Sequence, residues 1–192
     1  MTPTWAVVLV GVVSGALASF VTAIVTASHE RAAEFRERML NAADEFSTAA
    51  IVALQQTRDV AGKIEDPTTP LRDPGSGFFG AEISTRLDAA NQAVDDVFAK
   101  QARVHLLFAD SSPATVASLG VLAHLRNMLM ALESRPDSIR NNTVRAIYSA
   151  NFSGTQEQHV KFNQAALVAL QETWWDRLLE RWRLRRRAKK ES

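Results

Sequence analysis

The chain has 192 residues, of which 46% are hydrophobic and 22% are charged, and its formal net charge is +1. It contains no cysteine, which excludes disulfide bonds, thiolate metal sites and cysteine nucleophiles. Frequent alanine and few β-branched runs after residue 27 favour helix. We predict an all-α fold, with one N-terminal transmembrane helix followed by an elongated antiparallel helical bundle of the four-helix type.

Residues 5–27, WAVVLVGVVSGALASFVTAIVTA, contain no ionisable side chain. About 23 residues with a rise of about 1.5 Å each give roughly 34 Å of helix, enough to cross a hydrocarbon core of about 30 Å. Arg31, Arg36 and Arg38 follow this segment, and basic residues beside a span stay on the cytoplasmic side. We therefore predict a single-pass protein of the plasma membrane, with residues 1–4 outside the cell and the C-terminal domain in the cytoplasm.

Two other interpretations of residues 5–27 stay open. A secretory signal peptide would be cleaved near Val25-Thr26-Ala27, and a buried helix of a soluble protein would not enter a membrane at all. Within the span, Gly11, Gly15 and Ser19 lie on about one face, as small residues do where two membrane helices pack closely. This stripe predicts a packing or dimerisation face, so a homodimer is one expected arrangement.

Residues 28–182 are predicted to form the helical bundle. Its first helix should continue from the span without a break, because residues 28–61 contain neither proline nor glycine. Glu30, Glu34 and Arg38 are spaced for a solvated, ion-paired face. The core-facing stripe of this helix is formed by residues three and four apart, namely Phe35, Met39, Ala42, Phe46, Ala49 and Ala53.

A long loop is predicted over residues 63–82, where the helical pattern stops and prolines and glycines accumulate. Loops of this length in compact domains are either functional or disordered. Phe78 and Phe79 within it have two interpretations. They either fold back and pin the loop to the end of the bundle, or they form a docking strip for a protein partner.

The next two helices have clear apolar patterns. The second helix carries a heptad-like seam with one polar interruption at Gln101, and the seam comprises Ile83, Leu87, Ala90, Val94, Val97, Val104 and Phe108. For the third helix, Ser112 is the predicted N-cap and Pro113 the first helical residue. Its predicted inner stripe comprises Val116, Leu119, Leu122, Leu125, Met128 or Leu129, and Leu132.

Beyond Pro136 the sequence predicts a short helix over residues 137–150, then a turn at residues 151–154. A last helix should start with a capping box formed by Thr155 and Gln158. If the short helix continues the third across Pro136, four rods pack up and down and the last returns toward the membrane; if it folds back, the last points away. The inner stripe of the last helix is predicted to be Phe162, Ala166, Leu167, Leu170 and Trp174.

Residues 183–192 form a basic C-terminal tail. From Arg177 onward there are eight basic and two acidic residues, a net charge of +6, so the preceding residues carry −5 of the total. Anionic lipid of the inner leaflet attracts basic residues by about 1 kcal/mol each. The predicted contacts to a membrane surface or another polyanion are Trp175, Trp182, Arg183, Arg185, Arg186, Arg187, Lys189 and Lys190. A solvated end is the plainer interpretation, and nucleic acid is not the expected partner.

Catalytic patterns are absent from the sequence. It has no Gly-rich phosphate loop, no HExxH or Glu-x-x-His pair and no GxSxG, and His29, His105, His124 and His159 are scattered. We therefore expect no enzyme activity, no cofactor and no metal.

The expected function is that of a membrane-anchored helical interaction or scaffold protein that contacts the lipid bilayer and an unknown protein partner. The alternative is a signalling module that relays changes in a dimer through the span. Nucleic-acid binding by the tail and an unrecognised helical-bundle enzyme are weaker hypotheses.

Overall fold

The computed structural model describes residues 4–66, 68, 79–134 and 142–171. Over these residues the chain is α-helical, with no β-strand, and this part of the predicted fold is confirmed. The chain divides into two compact units, Met1–Arg38 and Met39–Ser192. Four helices make up the described chain: α1 (Thr4–Glu65), α2 (Ala81–Leu107), α3 (Pro113–Ser134) and α4 (Asn142–Gln171).

The first unit contains the N-terminal part of α1, which is one unbroken helix as predicted. Glu34 and Arg38 approach to 3.9 Å and both side chains are mostly exposed, which confirms the solvated, ion-paired face. Phe35 is 40% exposed, so its predicted place in a core stripe is wrong. The side chains of residues 4–25 lie outside the described residues, and the predicted span there stays a prediction.

Ion pairs join α1 and α2 along their length in the second unit. The Glu45 carboxylate accepts from Arg103 at 2.7 Å, and Lys63 lies 3.2 Å from Glu82 at the other end. Residue numbers thus rise along α1 as they fall along α2. The two helices are antiparallel neighbours.

The remaining helix pairs are also antiparallel. Asn91 donates to Glu133 at 2.7 Å, and Arg126 lies over the Phe98 ring, so α2 and α3 are neighbours. In the same way Gly120 lies beside Gln158 while Gly154 lies beside His124, which pairs α3 with α4. Phe46 with Phe162 and Glu65 with Arg145 pair α1 with α4. The second unit is therefore an up-down-up-down four-helix bundle in which each helix touches two others.

The core of the bundle contains the predicted seams of α1 and α2. Gln101 is buried within the α2 seam, as the pattern indicated. Phe46 and Phe162 meet in the core with ring centroids 4.6 Å apart and planes tilted by 58°, a favourable arrangement for two aromatic quadrupoles. The largest fully buried side chains are Phe46, Phe162, Met39, Ile64, Ile83, Leu125, Met128 and Leu132.

The predicted division of the C-terminal half is wrong. Residues 142–171 form one helix, so there is no turn at residues 151–154, and Thr155 is not the cap of a new helix. The Thr155 side chain is buried in α4, where its hydroxyl donates to the Asn151 carbonyl at 2.8 Å and contacts Met128 Sδ. The short helix beyond Pro136 is therefore the start of α4 and runs back along α3 rather than continuing it.

The last helix ends at the Met39 end of the second unit, although the chain reaches that end through one long α4 rather than through two helices. Because α4 is a single antiparallel partner of α1, its last residue, Gln171, lies at the Met39 end of the second unit. Had the short helix folded back along α3 and the chain then turned at residues 151–154, the last helix would have pointed toward the opposite end of the bundle.

The register of α3 differs from the predicted stripe at its first two turns. Val116 and Leu119 are 59% and 48% exposed, whereas Leu122, Leu125, Met128, Leu129 and Leu132 are buried as predicted. Small side chains face the core instead, namely Ala114, Thr115, Ala117 and Ser118. The prediction that Val116 and Leu119 lie in the core was wrong. Small core-facing residues allow the first turns of α3, directly after the α2–α3 turn, to approach the neighbouring helices closely. Leu167 of α4 was likewise predicted inside and is 58% exposed.

The start of α3 is confirmed in detail. The backbone N–H of Thr115 donates to Ser112 Oγ at 3.1 Å, which is the N-cap bond expected when Ser112 precedes a proline at the first helical position. The connection between α1 and α2 covers residues 66–80, slightly shorter than the predicted loop, because Lys63 to Glu65 and Ala81 to Glu82 are helical.

Candidate interaction surface

Five large apolar side chains are exposed on the outer side of α2 and α3. We call them the α2/α3 band, and their exposed fractions lie between 48% for Leu119 and 82% for Leu106. The band comprises Phe98, Leu106, Val116, Leu119 and Met130. Scattered exposed apolar residues are ordinary on protein surfaces, but contiguous ones mark interaction sites.

Helical spacing places the band on one face. On α3 the steps from Val116 to Leu119, Arg126 and Met130 are three, seven and four residues, which keeps these positions on one side of the helix. On α2, Phe98 and Leu106 are eight residues apart and share a side in the same way. The Arg126 guanidinium lies 5.1 Å from the centre of the Phe98 ring, and this contact aligns the two halves of the band.

Exposed alanines fill the positions between these side chains. Ala99 and Ala102 on α2 and Ala123 on α3 are exposed and carry no polar atom beyond the backbone. The surface between the larger residues is therefore also apolar. The bundle has folded and left this face without a partner of its own among the described residues.

The seam between α1 and α2 has the opposite character. Glu45 is contacted by Arg103 at 2.7 Å and by Lys100 at 3.6 Å. Glu82 at the far end is contacted by both Lys63 and Arg86 at 3.2 Å, and hydrogen bonding from Lys63 lowers the pKa of its carboxyl group. A charged, internally paired surface of this kind is typical of a solvated face.

A cleft of about 650 Å³ opens at the end of the bundle where α1 ends and α4 begins. Its lining mixes both signs of charge, including Arg58, Lys63 and Arg86 with Asp59 and Glu65. Arg145, also in the lining, pairs with Glu65 at 3.4 Å. Opposite charges that neutralise one another do not select a charged ligand, so the cleft has no evident chemical preference.

Tyr148 lines this cleft, and its phenol is partly buried. Burial raises the pKa of its phenol to about 12, and the nearby Thr57 and Arg58 offset this only in part. The Thr57 hydroxyl donates to the carbonyl oxygens of Ala53 and Leu54, and the buried Tyr148 hydroxyl makes no hydrogen bond of good geometry with it. A phenol with this pKa stays protonated at neutral pH.

Histidines occupy structural positions on separate helices. His124 Nδ1–H donates to Asn151 Oδ1 at 3.0 Å, and His159 Nε2 shares a hydrogen bond of 2.7 Å with the Ser47 hydroxyl. His105 lies 3.4 Å from Asp110 in the turn after α2. In the part of the chain that the structure describes, no three His, Asp or Glu side chains are grouped so that they could hold a metal ion.

One helix in the described part of the chain is long and apolar enough to cross a membrane, Pro113–Glu133 of α3. Half of this window is buried inside the protein, where Val121, Leu125 and Leu132 belong to the bundle core. Core helices of soluble proteins meet the same criteria of length and composition. It lies in mid-chain rather than at the N-terminal position where the sequence predicts a span.

The predicted site residues fall mostly outside the described side chains. These are the small-residue stripe of Gly11, Gly15 and Ser19, the loop residue Phe78, and the membrane or polyanion contacts Trp175, Trp182, Arg183, Arg185, Arg186, Arg187, Lys189 and Lys190. Phe79 is described, and it is half-buried against the core at the end of the bundle. This position agrees with the interpretation in which the aromatic side chain pins the loop.

The α2/α3 band was not predicted from the sequence. The apolar patterns assign no role to Phe98 and Leu106, and they assign Val116 and Leu119 to the core. The available signal was that α2 and α3 carry more large apolar residues than one core-facing stripe can hold.

Comparison of the chain with family models, with curated proteins and with solved structures finds no match.

Proposed function

We propose that the chain is a single-pass, membrane-anchored helical interaction protein whose α2/α3 band docks another protein surface. The observation that carries the proposal is the exposure of Phe98, Leu106, Val116, Leu119 and Met130 on one face. Leaving such a face in water is unfavourable by about 25 cal/mol per Å² of apolar area. Burial against a protein partner removes that cost.

The proposed anchor is residues 5–27, with the N-terminus outside and the bundle in the cytoplasm. Its support is a run of about 23 residues without an ionisable side chain, followed by Arg31, Arg36 and Arg38. The α4 helix ends at the Met39 end of the bundle unit, where α1 enters that unit. Residues 183–192 carry six basic residues and one acidic residue, and this charge supports a contact with anionic lipid.

Membrane partition tests the anchor. We compare the full chain with a chain that starts at His29 and with a variant in which Val13 and Leu17 are both arginine. Each arginine at the centre of a span costs about 2.5–3.5 kcal/mol of insertion free energy, so the variant should be extracted by carbonate while the full chain resists. A mature chain that starts near Ser28 and is recovered outside the cell would contradict the anchor and favour a signal peptide.

The absence of native cysteine allows the topology to be read directly. A Thr2→Cys chain in intact cells should react with a membrane-impermeant thiol reagent, whereas a Ser192→Cys chain should react only after lysis. The reverse pattern would overturn the orientation without affecting the anchor itself.

Cross-linking tests the interaction role of the band. A thiol-directed photo-cross-linker on Ala102→Cys, inside the band, should give protein adducts in native membranes. The same reagent on Gln55→Cys, exposed on α1, should give few. Equal and low yields at both positions would contradict a docking role for the α2/α3 band.

The continuity of α1 favours a second candidate function. A helix without a break from Thr4 to Glu65 is the element that a signalling module would need to relay a change in a dimer from the span. This candidate requires that a proline at Gln55 or another exposed α1 position alters signalling output while membrane partition is unchanged.

A further inference from the structure

We infer that the α2/α3 band is the interface with a second copy of this chain, in a two-fold dimer whose bundles lie side by side and point the same way. The inference rests on the proposed function, because two copies anchored by their N-terminal segments in one membrane must share an orientation. We take the two-fold axis to be parallel to the bundle helices, so that the same face of both copies meets with the helices pointing the same way.

The band exposes enough apolar surface to form the centre of an interface. The five large side chains of the band and the alanines between them leave on the order of 600 Å² of apolar area exposed. A stable protein–protein interface buries about 800 Å² on each partner, with an apolar centre and a polar margin. The band therefore provides the apolar centre of an interface of ordinary size.

The α2 and α3 residues of the band stand at matching heights along the bundle. Asn91 meets Glu133 and Phe98 meets Arg126 within one copy, so these contacts fix which α2 residue stands level with which α3 residue. In a parallel two-fold dimer the α3 helix of one copy faces the α2 helix of the other at the same height. Leu119 of one copy then stands level with Leu106 of the other, so apolar side chains face each other across the interface.

Opposite charges lie beside the band on α2 and α3. Asp95 lies one turn from Phe98, on the side of α2 that carries Asn91 and Phe98, and it is exposed. Neither Asp95 nor Arg126 makes an ion pair with another described residue. Across the proposed axis, Arg126 of each copy stands level with Phe98 of the other and about one helical turn from Asp95, a distance that the long arginine side chain can bridge. Opposite charges left unpaired in one copy become complementary in two, and the pairing occurs twice.

Light scattering of the full chain in detergent tests the inference first. Leu106→Glu with Leu119→Glu should raise the dissociation constant of the dimer by about tenfold or more, because each introduces a charge into the apolar centre. The matched control is Leu40→Glu with Val160→Glu, which are 52% and 53% exposed on α1 and α4 and should leave the dimer unchanged. Equal weakening by both pairs, or a monomeric parent chain, would overturn the inference.

Disulfide formation tests the orientation and is independent of any dimer contact in the span. Chains carrying Ala102→Cys and Ala123→Cys are mixed in one membrane, and the mixed disulfide should exceed either homodimeric disulfide, since these positions stand level on α2 and α3. Thr48→Cys, exposed on α1, serves as the control position. Absence of the mixed disulfide rules out the parallel arrangement even if the chain is dimeric.

Charge reversal separates an intermolecular role from a structural one. Arg126→Asp and Asp95→Arg should each weaken the dimer, and the double variant should restore it, although the Arg126–Phe98 contact within one copy is lost in both the single Arg126→Asp and the double variant. Failure of the double variant to restore the dimer would contradict the Arg126–Asp95 pairing. If cross-linking at Ala102 instead yields adducts with a different protein, the interaction function stands and self-association is wrong.

Discussion

Gly154 occupies a helix interior in which alanine would ordinarily be preferred. A Cβ atom at this position would lie 2.7 Å from the His124 ring, which is held by its hydrogen bond to Asn151. We expect Gly154→Ala to destabilise the bundle by about 1–3 kcal/mol, since overpacking outweighs the gain of up to about 1 kcal/mol in helix propensity. Denaturant unfolding monitored by circular dichroism measures the difference.

The matched control for this substitution is Gly62→Ala in α1. Nothing lies within 4 Å of a Cβ atom there, and Gly62 is exposed. We expect Gly62→Ala to stabilise the chain by about 0.5–1 kcal/mol. A stabilising Gly154→Ala would mean that the His124 ring moves aside without cost.

His159 gives the free energy of unfolding a specific dependence on pH. Burial lowers the pKa of its imidazole below the usual value of 6.5, while the ring shares a 2.7 Å hydrogen bond with Ser47. The unfolded chain therefore binds the proton more readily than the folded chain. The neutral ring therefore contributes fully to the free energy of unfolding at pH values above the pKa that His159 has in the unfolded chain. This contribution is lost as the pH falls from about 6.5 toward the lower pKa that His159 has in the folded chain.

His159→Gln removes this titration. We expect the loss of stability between pH 7.5 and pH 5.5 to be smaller in His159→Gln than in the parent chain. His29→Gln, which alters an exposed histidine, should retain the parent's pH dependence. Urea unfolding at the two pH values provides the comparison, and parallel curves for all three chains would contradict the assignment to His159.

At the scale of single elements, the start of α3 depends on one side chain. Ser112 Oγ accepts from the Thr115 N–H, and the Thr115 hydroxyl donates to the Ala109 carbonyl at 3.1 Å, so the turn after α2 and the first turn of α3 are tied together. We expect Ser112→Ala to cost about 1 kcal/mol, whereas Ser111→Ala, one residue earlier and exposed, should change stability by less than about 0.5 kcal/mol. Thermal unfolding of both variants measures the difference.

At the scale of the whole molecule, one aromatic contact joins the first and last helices of the bundle. Phe46 and Phe162 are fully buried and join α1 to α4, so Phe46→Ala should cost about 3–5 kcal/mol through lost burial and a residual cavity. Because that loss can unfold the chain, Phe46→Leu is the second variant, and we expect it to remain folded with a smaller loss. Leu40→Ala, half-exposed on the same helix, should cost less than about 1 kcal/mol. Urea unfolding of the three variants measures these differences.

The sequence correctly predicted features that depend on residues close together in the chain. The Ser112-Pro113 start of α3 and the Ile83 to Val104 seam of α2 were both predicted correctly. The prediction failed at residues 151–154, because Asn, Ser and Gly there are typical of a turn. In the bundle the Asn151 side chain is satisfied by His124 and by the Ile147 carbonyl, and the His124 ring fills the space beside Gly154.

The candidate site was decided by packing rather than by pattern. On α3 two stripes were available, one of small residues through Ala117 and Ser118 and one of larger residues through Val116 and Leu119. Size favoured the larger stripe as core, but the structure buries the smaller one. An apolar side chain gives the same sequence signal whether it belongs to the core or to a docking face, so the α2/α3 band could not be located from the sequence.

The sequence by itself determined that the described chain after residue 27 is mainly helical, that α3 begins at Ser112-Pro113, and that the α2 seam and, apart from Phe35, the α1 stripe lie in the core, because periodicity and capping depend on residues a few positions apart. Only the tertiary structure decided that residues 142–171 are one helix, that α4 ends at the Met39 end of its unit, and which apolar residues of α3 remain exposed. These features depend on contacts between residues distant in the chain, such as His124 with Gly154 and Phe46 with Phe162, and local propensity does not contain them.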